Sequence, residues 1–387
     1  MAYPRNLGFL GAAILYGSLG IMSESSLVMD RTFSEARRLC YAGLDEEALL
    51  RKVAERTRRA VPLELYCMHV NDPSSGLITR AVLSHAGYGE LARVALERVQ
   101  FEDEVTPFGW MAKRRLAALS LSESTGGKPE RALRYREVMV PLGVEHEVHG
   151  VFALDGELWG SVTAMREPGS PDFDAREVAF FSRIAPHLAA GLKAAALRSE
   201  APIEPDGDNS PGVLVLDQAG RVVQHTGAAE RRLRELGDLG PGWREGDGLP
   251  LAILSMTGVL RRALGPETDQ EGSSIPRLLV RARSGRWLVL HGAWTEPGPD
   301  RGSETMIVIE AAGPREVAWL KTSAYGLTKR EREVVDLVVR GASTRQISRA
   351  LYITEYTVQE HLSNVFEKVG ERGRRALVKR LYLDSLS

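Results

Sequence analysis

A chain of 387 residues is long for one domain and comfortable for two or three. Its composition is that of an ordinary soluble protein, 43% hydrophobic and 26% charged with a net charge of -1. Cys40 and Cys67 are the only cysteines, too few for a disulfide framework or a cysteine-rich zinc site, which fits a reducing cytoplasm. The chain opens on MAYPRNLGFLGAAILYGSLGIM, where Leu7 to Met22 is apolar and glycine-rich behind Arg5, a signal-peptide-like pattern. That run is shorter than the roughly 20 apolar residues a spanning helix needs, so no membrane association is expected.

Residues 30–197 read as one domain. Phe33, Ala36, Leu39, Leu49, Val53 and Ala60 recur at amphipathic helical spacing, with Asp45-Glu46-Glu47 placed to start the second helix. Strand-like stretches follow at 63–70, 76–84, 136–141, 147–154 and 158–166. Asn71-Asp72-Pro73 and Asp155-Gly156 supply turns, the second joining a hairpin. A long helix over 170–196 carries Phe173, Val178, Phe181, Ile184, Leu188 and Leu192. Helices, an antiparallel meander and a closing helix make an α+β layer, and this order resembles a GAF-type sensor domain. Glu145, His146, Glu147 and His149 form the densest polar cluster; histidines three apart on a strand face opposite ways, so the cluster is read as a solvated strand start and no metal is expected. His187 reads as an interfacial residue, and Trp110 and Trp159 are candidate liners of a small-molecule pocket.

Residues 198–211 mix Pro, Gly, Asp, Glu and Ser and read as a linker. A strand at 212–217, a turn at Ala219-Gly220, a partner strand at 222–225 and a helix at 228–236 then resemble the opening of a PAS domain. A second helix at 249–264 and strands at 275–280, 286–294 and 305–311 complete that order, so 212–313 is assigned as a PAS-like α+β domain. It carries no cysteine or haem-type histidine signature, and no cofactor is expected; it reads equally as a ligand sensor or as a dimerisation module. Residues 314–325, with Val317, Trp319 and Leu320, are expected to form a connecting helix.

The last stretch, 326–387, holds 12 Lys/Arg against 8 Asp/Glu, a basic surplus on a slightly acidic body. Thr328 with Glu331 forms a capping box, Val334, Leu337 and Val338 recur at helical spacing, and Gly341 stands at the stop. Ser343 is placed to cap a second helix containing Ile347 and Leu351. Thr354 is placed to cap a third containing Val358, Leu362, Val365, Phe366 and Val369, ended by Gly370. Two helices across a tight turn describe a helix-turn-helix. The run Leu327-Thr328, Arg330-Glu331, Glu333-Val334, Gly341, Ser343, Ile347, Leu351, Ile353, Thr357-Val358, His361, Asn364 and Lys368-Val369-Gly370 resembles the all-α, four-helix DNA-binding domain of the LuxR family of bacterial regulators. That family usually places a lysine after the Thr-Val pair; here stand Gln359 and Glu360, which suit adenine and cytosine edges.

The resemblance implies a multidomain, cytoplasmic transcription regulator. Thr354, Tyr356, Thr357, Gln359, Glu360 and Ser363 would meet the major groove, with Arg330, Arg345, Lys368 and Arg374 around it on phosphates. Implied partners are double-stranded DNA, a second copy of the chain, RNA polymerase for an activator, and a small ligand for the sensor domains. Export would separate such a domain from DNA, so residues 1–29 are read as an extension, disordered or lying before a start at Met22 or Met29. No phosphate-binding G-x-x-x-x-G-K-[ST] loop, G-x-S-x-G elbow or H-E-x-x-H motif occurs. An enzyme with an appended helix-turn-helix, or a regulator controlled by protein contacts alone, are the alternatives.

Overall fold

The computed structural model describes residues 24–84, 89–100, 105, 107–198, 210–237, 244, 248–263, 276–295, 302–313, 316, 322 and 325–383. Two helices, α1 (Glu24–Cys40) and α2 (Glu46–Thr57), precede β1 (Leu65–Asn71) and β2 (Ile78–Leu83). Asp45 caps α2, its carboxylate accepting from the amide of Ala48 at 2.8 Å. A helical stretch then intervenes: α3 (Gly89–Val94), continued by a π-helical segment Ala95–Val99, and α4 (Phe108–Lys113). After β3 (Ala118–Ser120) and α5 (Leu121–Thr125), a π-helical segment Tyr135–Met139 runs into α6 (Val140–Leu142). The hairpin β4 (His146–Leu154) and β5 (Glu157–Arg166) and the long α7 (Ala175–Arg198) close the unit.

These five strands form an antiparallel sheet in the order β2-β1-β5-β4-β3. Alternation divides its faces. Tyr66, Met68, Val148, Phe152, Val162 and Ala164 bury against α1, α2 and α7, where Phe180, Ile184, Leu188 and Leu192 meet them. Gly160 permits that approach, since a Cβ there would lie 2.6 Å from Leu192 and 2.7 Å from the His69 carbonyl. Cys67, His69, His149 and Thr163 face the other way, towards a cavity under α3 and its π-helical continuation. Asp155 and Gly156, with φ of 56° and 84°, make the two-residue turn that the Asp-Gly pair indicates.

The second sheet contains β6 (Gly212–Leu216), β7 (Val222–His225), β8 (Arg277–Arg281), β9 (Trp287–Trp294) and β10 (Thr305–Ala311), with α8 (Gly227–Leu236) and α9 (Leu251–Ala263) after its second strand. Its order, β7-β6-β10-β9-β8, repeats the second-first-fifth-fourth-third order of the first sheet. The cores are continuous: Leu77, Ile78 and Leu96 join the cluster of Leu214, Ile253, Leu290 and Ile307, while Leu279 and Val289 join the first cluster. The C-terminal helices are α10 (Lys329–Val339), α11 (Thr344–Leu351), α12 (Glu355–Val369) and α13 (Arg374–Val378), the last continued by a π-helical segment Lys379–Leu383.

Three expectations require correction. The stretch 136–141 is helical, because Met139 packs with Leu121, Val144 and Met165 beside the cavity and does not enter the sheet; β3 takes the edge instead. Helix α1 starts at Glu24, inside the segment read as an extension, and Met29 packs on the core. Glu147 and His149 are not solvated; both are buried. Residues 1–23, nearly all of the linker and most of the connecting helix lie outside the described residues. Among the described residues no helix is long and apolar enough to cross a membrane, and no group of three His, Cys, Asp or Glu could hold a metal ion.

Candidate nucleic-acid interface and sensor cavity

The C-terminal helices are fixed first by their ends. Thr328 Oγ1 accepts from the amide of Glu331 at 3.2 Å, and Glu331 Oε2 accepts from the amide of Thr328 at 2.7 Å. Ser343 and Gln346 repeat this box on α11. Tyr352 ends α11 in the left-handed region at φ 54°, and Ser348 Oγ donates to the Ile353 carbonyl at 2.6 Å, closing the turn. Thr354 then caps α12, accepting from the amide of Thr357 at 3.1 Å.

Val358, Leu362, Val365 and Val369 recur at helical spacing and turn one side of α12 inward, against Val334, Val335, Val338 and Ile347. The opposite side is exposed: Thr354, Tyr356, Gln359, Glu360 and Ser363 stand together with Tyr352, while Thr357 is half-buried at the edge. Tyr352 and Tyr356 are 95% and 77% exposed, so two large aromatic side chains stand uncovered beside the groove-sized helix. A tyrosine carries no sequence signal for the left-handed backbone that Tyr352 adopts.

Thr344 joins three helices. Its Oγ1 accepts from Gln359 Nε2 at 3.2 Å and from Arg374 Nη2 at 2.8 Å, while Arg374 Nη1 donates to the Ala342 carbonyl at 2.8 Å. Sequence reasoning missed Thr344, which follows the cap residue and carries no signal beyond that. Gln359 is thereby held against α11, and Ser363 Oγ donates to the Gln359 carbonyl at 3.0 Å.

The cations separate into two groups. Arg330 pairs with Glu333 at 2.6 Å and donates to the Leu351 carbonyl. Lys368 Nζ donates to Glu331 Oε2 at 2.7 Å and to the Gly326 carbonyl at 3.3 Å. Burial pushes the Glu331 carboxyl up, but Lys368 and Thr328 outweigh it and hold the group below its ordinary range. Arg330, Lys368 and Arg374 therefore tie the module together, whereas Arg340, Arg345, Arg349, Arg372, Arg375 and Lys379 are exposed. The module meets the body through Arg332 of α10, which pairs with the buried Glu157 beside the β4–β5 turn.

The body contains a cavity of about 150 Å³ between the first sheet and its helical cover, reached by Leu251 of α9. Its wall is mostly aliphatic, with Phe108 set 4.6 Å from the His149 ring and 5.7 Å from the His69 ring. Arg134 and Glu147, both buried, pair with each other, and His149 Nε2 lies 3.3 Å from Glu147. Burial pushes the Glu147 carboxyl up, yet Arg134 and His149 prevail and hold it at about 2. Burial, with a smaller contribution from His149, pushes His69 down to about 3.

A hydrogen-bond chain leaves the cavity: Cys67 Sγ lies 2.8 Å from His69 Nε2, His69 Nδ1 lies 3.0 Å from Ser161 Oγ, and Ser161 donates to Asn71 Oδ1 at 3.1 Å. Because Ser161 donates onward, Nδ1 carries the imidazole proton, Nε2 accepts, and the Cys67 thiol donates. Burial pushes that thiol up, so the pair is a neutral hydrogen bond without the thiolate a nucleophile requires. Trp110 is exposed, 4.6 Å from the Arg114 guanidinium. Trp159 is buried beside Leu192, Leu279 and Trp287, and neither tryptophan lines the cavity. His187 accepts or donates across to Tyr41 at 2.8 Å, an α7–α1 contact.

The profile of the bacterial regulatory proteins of the luxR family matches residues 325–381. Over 61 residues the chain is 46% identical to the spore germination protein GerE of Bacillus subtilis, a match covering 16% of this chain and 82% of GerE. Over 66 residues it is 42% identical to the transcriptional regulatory protein DegU of Brevibacillus brevis, covering 17% of this chain and 28% of DegU. Among solved structures, a GAF domain of a phosphoenolpyruvate-protein phosphotransferase from Coxiella burnetii aligns with 46% of this chain and 98% of its own at 17% identity and a TM-score of 0.31. The LuxR-type receptor VqmA of Vibrio cholerae aligns with 46% of this chain and 83% of its own at 17% identity and a TM-score of 0.21. The family assignment rests on the C-terminal match alone: through its helix-turn-helix, the chain belongs to the luxR family of bacterial regulatory proteins.

Proposed function

We propose that this protein is a cytoplasmic, ligand-responsive transcription regulator in which α12 reads the major groove and the first α+β unit senses a small molecule. The observation that carries the reading is the uncovered outer side of α12, where Tyr356, Gln359, Glu360 and Ser363 form one polar face next to Tyr352. Such a face suits base edges, and the exposed Arg345 and Arg349 on α11 suit the flanking phosphates. A single helix reads a short half-site, so a pair of chains on a two-fold site is the expected assembly, and an activator would also touch RNA polymerase. Listening in the first unit is supported by the buried cavity and by its shared wall with the second unit, through Leu251.

Selection of genomic DNA fragments by the full-length protein tests this. A two-fold symmetric site should be enriched, and Gln359→Ala should relax the preference at one base pair in each half at a cost of about 1–3 kcal/mol. Enrichment of no sequence by the wild-type protein would overturn the reading.

A further inference from the structure

We propose that the cavity under α3 takes an uncharged, single-ring molecule carrying one hydrogen-bond donor, of the phenol class. The inference rests on the ligand-sensing reading above and names its chemistry.

Size is the first constraint. An apolar space of about 150 Å³ matches a void known to admit benzene, and leaves no room for a nucleotide or a tetrapyrrole. Charge is the second. Among the described wall residues Arg134 and Glu147 are buried and already paired, and His149 Nε2 stands 3.3 Å from the same carboxylate, so an ionic ligand would be desolvated without a counter-charge of its own. His69 is neutral here and offers no imidazolium to an anion. The lining is the third: Phe108, packed 4.6 Å from the His149 ring, presents an aromatic surface beside the aliphatic Val99, Val138 and Met139, a wall suited to an apolar ring.

The hydrogen-bond demand is set by Gln100. Its Oε1 is buried and meets no partner among the described residues, although the side chain lines the cavity. An unsatisfied buried acceptor is costly, and a ligand O–H or N–H relieves it. A plain hydrocarbon fills the space but leaves that oxygen orphaned. A ring bearing one donor meets both conditions.

The test uses the full-length protein with phenol, toluene and benzoate as probes, read by calorimetry and thermal melting, since a ligand of the native state raises the melting temperature. Phenol should bind, toluene should bind roughly tenfold more weakly, and benzoate should not bind. Gln100→Leu should abolish the preference for phenol over toluene. Ala95→Phe, which fills the space, should abolish binding of both while the selected DNA is still bound, showing that the variant folds. Benzoate binding more tightly than phenol would overturn the proposal, as would no probe stabilising a protein that selects DNA normally. A protein that binds phenol through Gln100 but selects no DNA would uphold the cavity chemistry and remove the regulator reading.

Discussion

Gln359 follows the Thr357-Val358 pair on α12, and the structure shows what surrounds it. Its amide leans on Thr344, 3.2 Å away, while the exposed neighbours Glu355 and Glu360 make the outer side of α12 acidic. Under the proposed function, attraction to phosphates is expected to fall to the arginines on α11 and α13, and base preference to turn towards adenine, whose edge a glutamine matches. Replacing Gln359 with lysine adds one cation at the groove. The expected outcome is several-fold tighter binding in low salt and a plot of log affinity against log salt steeper by about 0.9 per chain, with guanine favoured at the contacted position. An unchanged slope would show that position 359 faces no phosphate-bearing DNA.

At the scale of elements, α10 and α12 are held together by Lys368 on the carboxylate of Glu331, which is itself only 3% exposed and completes the Thr328 box. Sequence reasoning placed Lys368 on DNA, since a lysine near the end of a recognition helix has no visible partner in one dimension. Lys368→Ala should lower the stability of the C-terminal module by about 1–3 kcal/mol in urea unfolding and leave the salt dependence of DNA binding unchanged. A slope reduced by about 0.9 would restore the phosphate role. The same contrast explains what was legible. The helix boundaries of this module follow from local chemistry, Thr328, Ser343, Thr354, Gly341 and Gly370, and the five strands of the second sheet follow from alternation and tight turns. The stretch 136–141 reads as a strand through the short apolar run Val138-Met139-Val140, yet Met139 is drawn into a cluster with Leu121 and Met165, so packing with distant residues decides it. The cavity was illegible for that reason: its wall runs from Cys67 to Leu251.

Across the whole molecule, one short helical stretch has two neighbours. Ala95, Leu96, Val99 and Gln100 face the cavity, while Glu97 turns to the second unit, accepting from Thr257 Oγ1 at 3.0 Å and pairing with Arg261 at 2.6 Å. Arg93 donates to the Ala219 carbonyl in the turn after β6. Ser255 adds a bond from α9 to the Ile78 carbonyl at 2.7 Å, and Ile78 also lines the cavity. Under the proposed function, a ligand that shifts this cover is expected to alter the seat of α9, and these contacts are where a signal towards DNA would start. Glu97→Gln with Thr257→Val removes the ion pairs of Glu97 with Arg261 and Arg93 and the hydrogen bonds of the Thr257 hydroxyl to Glu97 and the Leu254 carbonyl, all outside the cavity wall. Ligand-induced stabilisation should persist in the double variant, because Gln100 and the apolar wall are untouched, while the change in DNA affinity produced by ligand should shrink. Coupling of an allosteric kind is worth about 1–3 kcal/mol, so the loss would be read as a 5-fold or larger ligand effect falling towards unity in DNA titrations with and without phenol. An undiminished ligand effect in that variant would mean that the signal leaves the cavity by another route, with the hydrogen-bond chain from Cys67 through Ser161 to Asn71 the next to break.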